Sequence, residues 1–324
     1  MLHFLVPFII LTYVLPQPED NATLETSEVV PGVTRFDNYE AADGYYLFVP
    51  TDSKADSLNT VVFVHGFGAI NPVAYGSWIE HLVKQGNAVI YVRYQEGLFS
   101  TSTTEFVPNT ATAVNNAILH ATSEGFTLRS KSIDLIGHSY GGVISANIAV
   151  NWQSLGVPEP GVVLLCEPGS GPLTGGLLET YEGMSPDLLL AIVVGDDDHT
   201  VGQSLGQKVM ETSTNTPNRV LFWQYADENG EEEIEASHYE PYSYDSRFDN
   251  GISNFTVNRS EKVSDLNAVD SLGYWQIYDQ LSSLKQSGLQ TYSEELLLEL
   301  ASLGTYKDGT AIKPMEIHKP QKKW

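Results

Sequence analysis

The chain has 324 residues, 42% of them hydrophobic, and can therefore bury a large core in one or two domains. Its formal net charge of −24 and its isoelectric point near 4.5 argue against nucleic acids and anionic membrane surfaces as partners. The single cysteine, Cys166, excludes an internal disulfide and a cysteine-based metal site, and the apolar run around it indicates an inert, packed thiol.

The N-terminal stretch favours export from the cell. Residues 4–15 are almost wholly apolar, too few to cross a bilayer but typical in number of a signal-peptide core. Asn-x-Ser/Thr patterns beginning at Asn21, Asn254 and Asn258 also fit an exported protein. We predict a signal peptide over residues 1–16, a secreted or cell-surface location and no stable membrane insertion after processing. Because no Lys or Arg precedes the apolar stretch and no Ala-x-Ala site follows it, a buried N-terminal strand in a cytoplasmic protein is the alternative.

The body of the chain alternates between apolar runs and segments of helical spacing. Residues 17–43 are polar and irregular, and we expect a linker and an edge strand there. Continuous Val, Ile and Leu runs separated by helices indicate a parallel sheet with helices on both faces. No repeat or linker interrupts residues 44–290, so one domain is predicted, followed by a C-terminal helix and a basic tail over residues 291–324. The predicted strands are residues 45–49, 61–64, 88–92, 133–136, 161–165, 188–194 and 220–224.

The helices between these strands are marked by their start and stop residues. The apolar residues of 78–83 have helical spacing, which Gly86 ends. Asn109 or Thr110 can cap a second helix that runs to about residue 123. A third helix is expected to begin at Tyr140, directly after the strand at residues 133–136.

The junction between that strand and the third helix is the segment Gly137-His138-Ser139-Tyr140-Gly141, which matches the G-x-S-x-G nucleophile elbow. Glycines two residues before and after Ser139 remove the Cβ atoms that would collide in so tight a turn. The turn would hold the Ser139 hydroxyl at the N-terminus of a helix, whose free N–H groups favour developing negative charge. Ser139 is therefore the candidate nucleophile, and a loop that matches the pattern by chance is the alternative.

A serine nucleophile needs a base, and with this motif an acid and then a histidine follow the serine along the chain. Only His199, His238 and His318 follow Ser139. His318 lies in a Lys-rich tail and is expected to be solvated, and His199 directly follows an acidic cluster. His238, which comes after the strand at residues 220–224, is the candidate base, and a surface histidine is the alternative.

The acid is expected at a turn where a strand ends and a helix follows. The strand at residues 188–194 ends at Gly195, and Asp196-Asp197-Asp198 comes next. The spacing Gly195-x-x-Asp198-x-x-Val201 favours Asp198 as the residue that orients the imidazole and stabilises its charged form. Asp196 and Asp197 remain alternatives, with a capping or solubilising role as the other interpretation.

The acidic segment after residue 195 and His238 also contain residue types that could bind a metal. Asp196, Asp198, His199 and His238 would suit a metal by residue type, but their spacing matches no known metal pattern. We therefore expect no metal and no cofactor.

Two backbone donors are needed for the oxyanion of a tetrahedral intermediate. The N–H of Tyr140, directly after the nucleophile, is one candidate. The other is the N–H of Phe67, in the loop His65-Gly66-Phe67-Gly68, where the glycines let the backbone approach a substrate closely. His65 is expected to fix this loop.

In their order and context these motifs resemble the alpha/beta-hydrolase superfamily, over about residues 40–285. The resemblance implies a mostly parallel sheet of about eight strands flanked by helices, with Ser139, Asp198 and His238 as a catalytic triad. It also implies a covalent acyl-enzyme intermediate that water cleaves. The loop at residues 65–68 is similar to that of esterases, lipases and cutinase-like members.

Two segments depart from the family pattern. Between the strands at residues 161–165 and 188–194, where many members carry a helical cap, this chain has room for little more than a loop. We therefore expect no large cap domain and an open site that suits bulky or polymeric substrates. The second departure is an insertion over residues 239–274, rich in Tyr, Asp, Ser and Asn. Its aromatic residues are expected to form a lid or a substrate wall, unless it is an ordinary surface insertion: Tyr242, Tyr244, Phe248 and Phe255.

Together these features predict a serine hydrolase that cleaves a small-molecule or polymeric carboxylic ester without a cofactor. A lactonase with the same triad is the alternative within this chemistry. A non-catalytic binding protein with this fold is the alternative outside it. A peptidase is disfavoured because no propeller or helical cap domain accompanies the sheet.

Overall fold

The computed structural model of the protein describes residues 26–52, 55–99, 102–129, 131–173, 175–289 and 291–320. The predicted signal peptide and the Asn21 pattern lie outside the described residues. No helix in the described ranges is both long and apolar enough to cross a membrane.

In the described part of the chain, ten strands form one mixed sheet. They are β1 (Thr26–Val30), β2 (Val33–Asn38), β3 (Tyr45–Pro50), β4 (Asn59–Val64), β5 (Asn87–Val92), β6 (Ser132–His138), β7 (Glu159–Cys166), β8 (Leu189–Gly195), β9 (Arg219–Gln224) and β12 (Glu316–His318). A separate hairpin pairs β10 (Asp227–Asn229) with β11 (Glu232–Ile234). The strands of the large sheet lie in the order β1-β2-β3-β5-β4-β6-β7-β8-β9-β12. The block from β5 to β9 is parallel, and the strands at both edges are antiparallel.

Helices cover both faces of this sheet, as the apolar runs predict. The helices are α1 (Gly76–Lys84), α2 (Thr103–Ser123), α3 (Tyr140–Leu155), α4 (Ser204–Thr212), α5 (Phe255–Val263), α6 (Gln276–Gln286) and α7 (Glu294–Ala301). Side chains alternate along each strand, so that Phe63 of β4 packs in the core under α1 and α6 while Val62 and Val64 pack in the core under α2 and α3. The strands are therefore buried on both faces, which is why they read as unbroken apolar runs.

The sheet is wider than the predicted eight strands because both chain ends add to it. The segment expected to hold a linker and one edge strand folds as the hairpin β1–β2, and Gly32 at its turn has φ 86°, a conformation that only glycine adopts without strain. At the opposite edge, β12 pairs with β9. His318, expected in a solvated tail, lies in this edge strand: its side chain is 42% exposed, and its ring packs 5.9 Å from that of Trp223.

The start of α2 also differs from the prediction. The helix begins at Thr103, and Asn109 and Thr110 lie inside it rather than at its cap. Their side chains bond elsewhere: the Asn109 amide donates to the Tyr94 carbonyl at 3.1 Å, and the Thr110 hydroxyl donates to the Phe106 carbonyl at 2.8 Å. Pro108 lies within the helix, at the cost of one backbone hydrogen bond.

The two segments that the sequence marked as departures from the alpha/beta-hydrolase pattern take different forms. Between β7 and β8, the described residues 167–173 and 175–188 contain no helix. The insertion after His238 holds a 3-10 turn at Ser246–Phe248 and then α5, and ends in a π-helical stretch at Val269–Trp275 that runs into α6.

Candidate active site

Ser139 lies in the tight turn between β6 and α3, with φ 56° and ψ −123°. For a non-glycine residue this is a strained conformation. The flanking glycines have the role expected from the sequence. A Cβ on Gly137 would lie 2.5 Å from the Gly141 carbonyl oxygen, and one on Gly141 would overlap the Val64 carbonyl oxygen at the end of β4.

The side chains of Ser139, His238 and Asp198 form a continuous hydrogen-bonded chain. His238 Nε2 lies 2.8 Å from Ser139 Oγ, and His238 Nδ1 lies 2.8 Å from Asp198 Oδ2. All three residues are buried. Because Asp198 only accepts when ionised, Nδ1 donates to it, and Nε2 is left to accept the proton of the Ser139 hydroxyl.

Hydrogen bonds hold together two segments of the site: the acid turn, residues 195–201 with Asp198, and the base loop, residues 235–238 with His238. Asp198 follows β8, and His238 follows β11 in a loop whose Ala236 carbonyl accepts from the Asp197 N–H at 3.2 Å. Gly195 permits this approach, because a Cβ there would overlap the Ala236 carbonyl oxygen. Gln224, at the end of β9, donates to the Glu235 carbonyl of the same loop at 2.6 Å.

Asp198 is held in its ionised form. Its Oδ1 accepts from the backbone N–H groups of Thr200 at 2.8 Å and Val201 at 3.0 Å. Burial alone would raise its pKa, but the hydrogen bond from His238 and these two N–H donors lower its pKa below the usual value. The spacing to Val201 thus reflects a turn in which the acid caps its own backbone.

The two neighbouring aspartates make other contacts. Asp196 Oδ1 accepts from the Ala226 N–H at 3.0 Å. Asp197 pairs with His199 at 2.9 Å, and its side chain is 58% exposed, against 0% for Asp198. Within the described ranges, no group of three or more His, Cys, Asp or Glu side chains is placed to hold a metal ion.

The two predicted oxyanion donors both line the cavity that contains Ser139. In the loop at residues 65–68, the Gly66 N–H donates to the Tyr75 hydroxyl at 3.1 Å and the Gly68 N–H donates to Gln95 Oε1 at 2.9 Å. The Phe67 N–H between them has no acceptor among the described residues. Tyr140 is the first residue of α3, so its N–H has no partner within the helix.

His65 is fully buried beneath this loop. Its Nδ1 lies 2.7 Å from the Gly66 carbonyl oxygen, and its Nε2 lies 3.1 Å from the Arg93 carbonyl oxygen. Burial lowers the pKa of His65 to about 4, so the ring is neutral at physiological pH. The neutral ring has one N–H and donates to only one of these two carbonyls, and its position beneath the loop fits the expected role of His65 in fixing it.

His138, inside the elbow, makes a connection that the sequence did not indicate. The Tyr75 hydroxyl, which accepts from the Gly66 N–H, donates to His138 Nδ1 at 2.7 Å. His138 Nε2 in turn donates to the His238 carbonyl at 2.9 Å. Burial and the nearby His238 lower the pKa of His138 well below the usual value. A neutral His138 therefore links the loop at residues 65–68, called the oxyanion loop below, to the elbow and the base loop.

Glu167 directly follows β7, and nothing in the sequence indicated its role in the site. Its carboxylate accepts from the Gly195 N–H at 2.8 Å and from the Tyr274 hydroxyl at 3.0 Å. It is fully buried, and burial together with nearby Asp198 raises its pKa well above the usual value. Glu167 thus ties the end of β8, where the acid turn begins, to the neighbouring strand and to the π-helical stretch.

A cavity of about 310 Å³ opens above the Ser139 hydroxyl. One wall comes from the loop after β7 and the acid turn. Another part of the lining comes from the insertion, so part of the lid-or-wall hypothesis agrees with the structure. Tyr242 and Phe255 line the cavity, whereas Phe248 is buried in the core and Tyr244 lies at a separate surface depression. The described lining residues are Gly66, Phe67, Ser139, Tyr140, Ser170, Gly171, Pro172, Leu173, Thr200, Val201, His238, Tyr239, Tyr242, Phe255, Thr256 and Arg259.

Comparison with models of known protein families gave no match, and comparison with curated proteins found no relative.

Proposed function

We propose that the protein is a serine hydrolase of carboxylic esters with the alpha/beta-hydrolase fold. The observation that carries the proposal is the chain of 2.8 Å contacts from Ser139 through His238 to Asp198, at a serine with φ 56°. The position of the site supports it. Ser139 follows β6, within the parallel block, and ligands of such sheets bind outside the carboxyl ends of the strands.

The proposed reaction begins with transfer of the Ser139 Oγ proton to His238 Nε2 as the oxygen attacks the ester carbonyl carbon. Asp198 stabilises the imidazolium that forms, without taking its proton. The N–H groups of Phe67 and Tyr140 donate to the oxyanion of the tetrahedral intermediate, an interaction typically worth about 3 kcal/mol for each donor. His238 then gives the proton to the leaving alcohol oxygen, and the acyl group remains on Ser139.

Water completes the proposed cycle. His238 takes a proton from the water as its oxygen attacks the acyl carbon, and the second tetrahedral intermediate uses the same donors. When this intermediate collapses, the proton returns to Ser139 and a free carboxylic acid leaves. The aromatic and aliphatic cavity wall suits an acyl or alcohol group with apolar surface, whether from a small ester or from one segment of a polymer.

The proposal is tested by the hydrolysis of p-nitrophenyl acetate, butyrate, octanoate and dodecanoate. We expect the wild type to hydrolyse these esters. The acyl-chain length with the highest kcat/KM will show how long an acyl group the cavity accommodates. Ser139→Ala is expected to lose several orders of magnitude in kcat. Ser170→Ala is the matched control, because its hydroxyl lines the same cavity but is not the hydrogen-bond partner of His238.

If folded wild-type protein cleaves none of these esters, the proposal in this form is wrong. Turnover of a lactone series alone, lost in Ser139→Ala, would replace linear esters by lactones as substrates. Equal residual activity in wild type and Ser139→Ala would show that the serine is not the nucleophile.

A further inference from the structure

Arg259 is the one permanently charged side chain among the described lining residues of the candidate active-site cavity. It lies on α5, one turn after Thr256, whose hydroxyl donates to the Phe67 carbonyl of the oxyanion loop at 3.3 Å. Its guanidinium lies over the ring of Tyr239, 4.2 Å from the centroid, and Tyr239 directly follows the candidate base. The positive charge thus lies against the residue that follows the candidate base, on the helix that contacts the oxyanion loop.

This guanidinium has no carboxylate partner in the described part of the chain. Its Nε is buried and meets no hydrogen-bond acceptor. The chain has 41 acidic residues against 17 Lys and Arg, so acidic partners are abundant. Arg247 shows the contrast, because it pairs with both Asp245 and Glu80. An unpaired guanidinium facing a cavity is explained if its partner is brought by a ligand.

We infer that Arg259 binds an anionic group of the substrate, so that the preferred esters carry a carboxylate. The inference rests on the proposed function. A guanidinium can donate two parallel hydrogen bonds to a carboxylate, and the low polarity of the surrounding aromatic wall strengthens their attraction. Arg259 lines both this cavity and the neighbouring depression, which Asp197 and Glu235 also line, and a cation at that boundary offsets the repulsion that a protein of net charge −24 exerts on an anionic substrate.

The test compares esters that differ only in charge. Monomethyl glutarate and the methyl ester of glutaramic acid place a carboxylate or a neutral amide on the acyl side. O-acetylglycolate and O-acetylglycolamide place the same two groups on the alcohol side. For at least one pair we expect the wild type to favour the carboxylate about ten- to hundredfold in kcat/KM, the range of a charge-assisted hydrogen bond.

Arg259→Gln is expected to abolish this preference while changing the kinetics of the neutral amide esters little. Arg259→Lys should restore part of it, because the charge is kept but the paired geometry is lost. Lys262→Gln is the matched control. It makes the same change of charge on the same helix, and Lys262 lines the neighbouring outer depression rather than the cavity with Ser139. Its preference should equal that of the wild type.

Binding of the same compounds to Ser139→Ala, by calorimetry, separates this inference from the proposed function. Absent hydrolysis of all four esters, with carboxylate binding that is lost in Ser139→Ala/Arg259→Gln, would reject the esterase and keep the anion site. Hydrolysis with equal preference in wild type and Arg259→Gln would keep the esterase and overturn the role of Arg259. If Ser139→Ala and Ser139→Ala/Arg259→Gln each bind the carboxylate and the amide equally well, the role of Arg259 is overturned whether or not the esters are hydrolysed.

Discussion

The Tyr75 hydroxyl joins three parts of the site through His138 without lining the cavity itself. Tyr75→Phe removes the acceptor of the Gly66 N–H and the donor to His138 Nδ1, and leaves both groups buried and unpaired. We expect a loss of about 1–3 kcal/mol in the free energy of unfolding. We also expect kcat to fall about tenfold with little change in KM, because the Phe67 donor and His238 lose positional support. Urea denaturation and ester kinetics measure the two effects.

Tyr45→Phe is the control for that prediction. Tyr45 is also buried and its hydroxyl bonds a histidine, His120 Nδ1, at 3.0 Å, but this pair does not line the cavity. A similar loss of stability with unchanged kcat is expected for it. If Tyr75→Phe behaves in the same way, the Tyr75–His138 pair supports only the fold.

Single residues could be chosen from the sequence where local chemistry singled them out. Ser139 was marked by its glycines, and His238 by its position after β9. Asp198 was separated from its neighbours by the turn spacing, and the structure brings these three together. Glu167 and His138 were not assigned roles, because their partners are distant in sequence: Glu167 bonds Gly195, and His138 bonds Tyr75. No local pattern encodes such contacts.

At the scale of elements, the N-terminus of α5 contacts the oxyanion loop through two side-chain hydrogen bonds. Asn254 is the N-cap of this helix, with Oδ1 accepting from the Val257 N–H at 3.0 Å. Its amide Nδ2 donates to the Gly68 carbonyl at 2.8 Å. The pattern at Asn254 that suggested glycosylation is thus occupied by contacts to the loop, and Thr256 of the same pattern bonds Phe67.

Asn254→Asp separates these two tasks. A carboxylate keeps the cap, and it favours the helix N-terminus, but it cannot donate to the Gly68 carbonyl. We expect stability near that of the wild type, measured by thermal unfolding, and kcat for a p-nitrophenyl ester lowered several-fold. Asn258→Asp is the control, since its Oδ1 accepts from the Ser253 hydroxyl and Asp keeps that acceptor. Unchanged kcat in Asn254→Asp would mean that α5 does not position the loop.

Strands that carry a continuous apolar run could be predicted from the sequence, whereas strands without one could not. The strands from β3 to β9 are buried on both faces and therefore appear as apolar runs. The edge strands β1 and β12 are half-exposed and short, so they carry no such signal. The start of α2 was misplaced because Asn109 and Thr110 are good capping residue types, whereas in the folded chain both lie inside the helix and their side chains bond backbone carbonyls.

At the scale of the whole molecule, the parallel block explains why residues distant in sequence meet. The strands β4, β6, β7 and β8 all end at one edge, and the oxyanion loop, the elbow, Glu167 and the acid turn follow them in that order. The base loop reaches the same edge after β9 and the β10–β11 hairpin. The fold class predicted this convergence, whereas the shape of the cavity depends on the insertion, whose path the sequence left open.

Buried acids give the whole molecule a pH-dependent stability. Asp270, in the π-helical stretch, is 2% exposed, and burial raises its pKa from 3.8 to about 7. Between these values the unfolded chain has lost the proton while the folded protein keeps it, so raising the pH favours unfolding. Above about pH 7 both forms are ionised and the penalty is constant.

Asp270→Asn removes this ionisation and leaves an oxygen that can accept from the Asn267 N–H, which Asp270 Oδ2 accepts at 3.0 Å. The free energy of unfolding of the variant minus that of the wild type should therefore increase between about pH 4 and about pH 8. Glu167, whose pKa burial also raises, is present in both proteins and cancels in the difference. A flat difference for Asp270→Asn would show that Asp270 is ionised in the folded protein across this range, and would overturn the prediction.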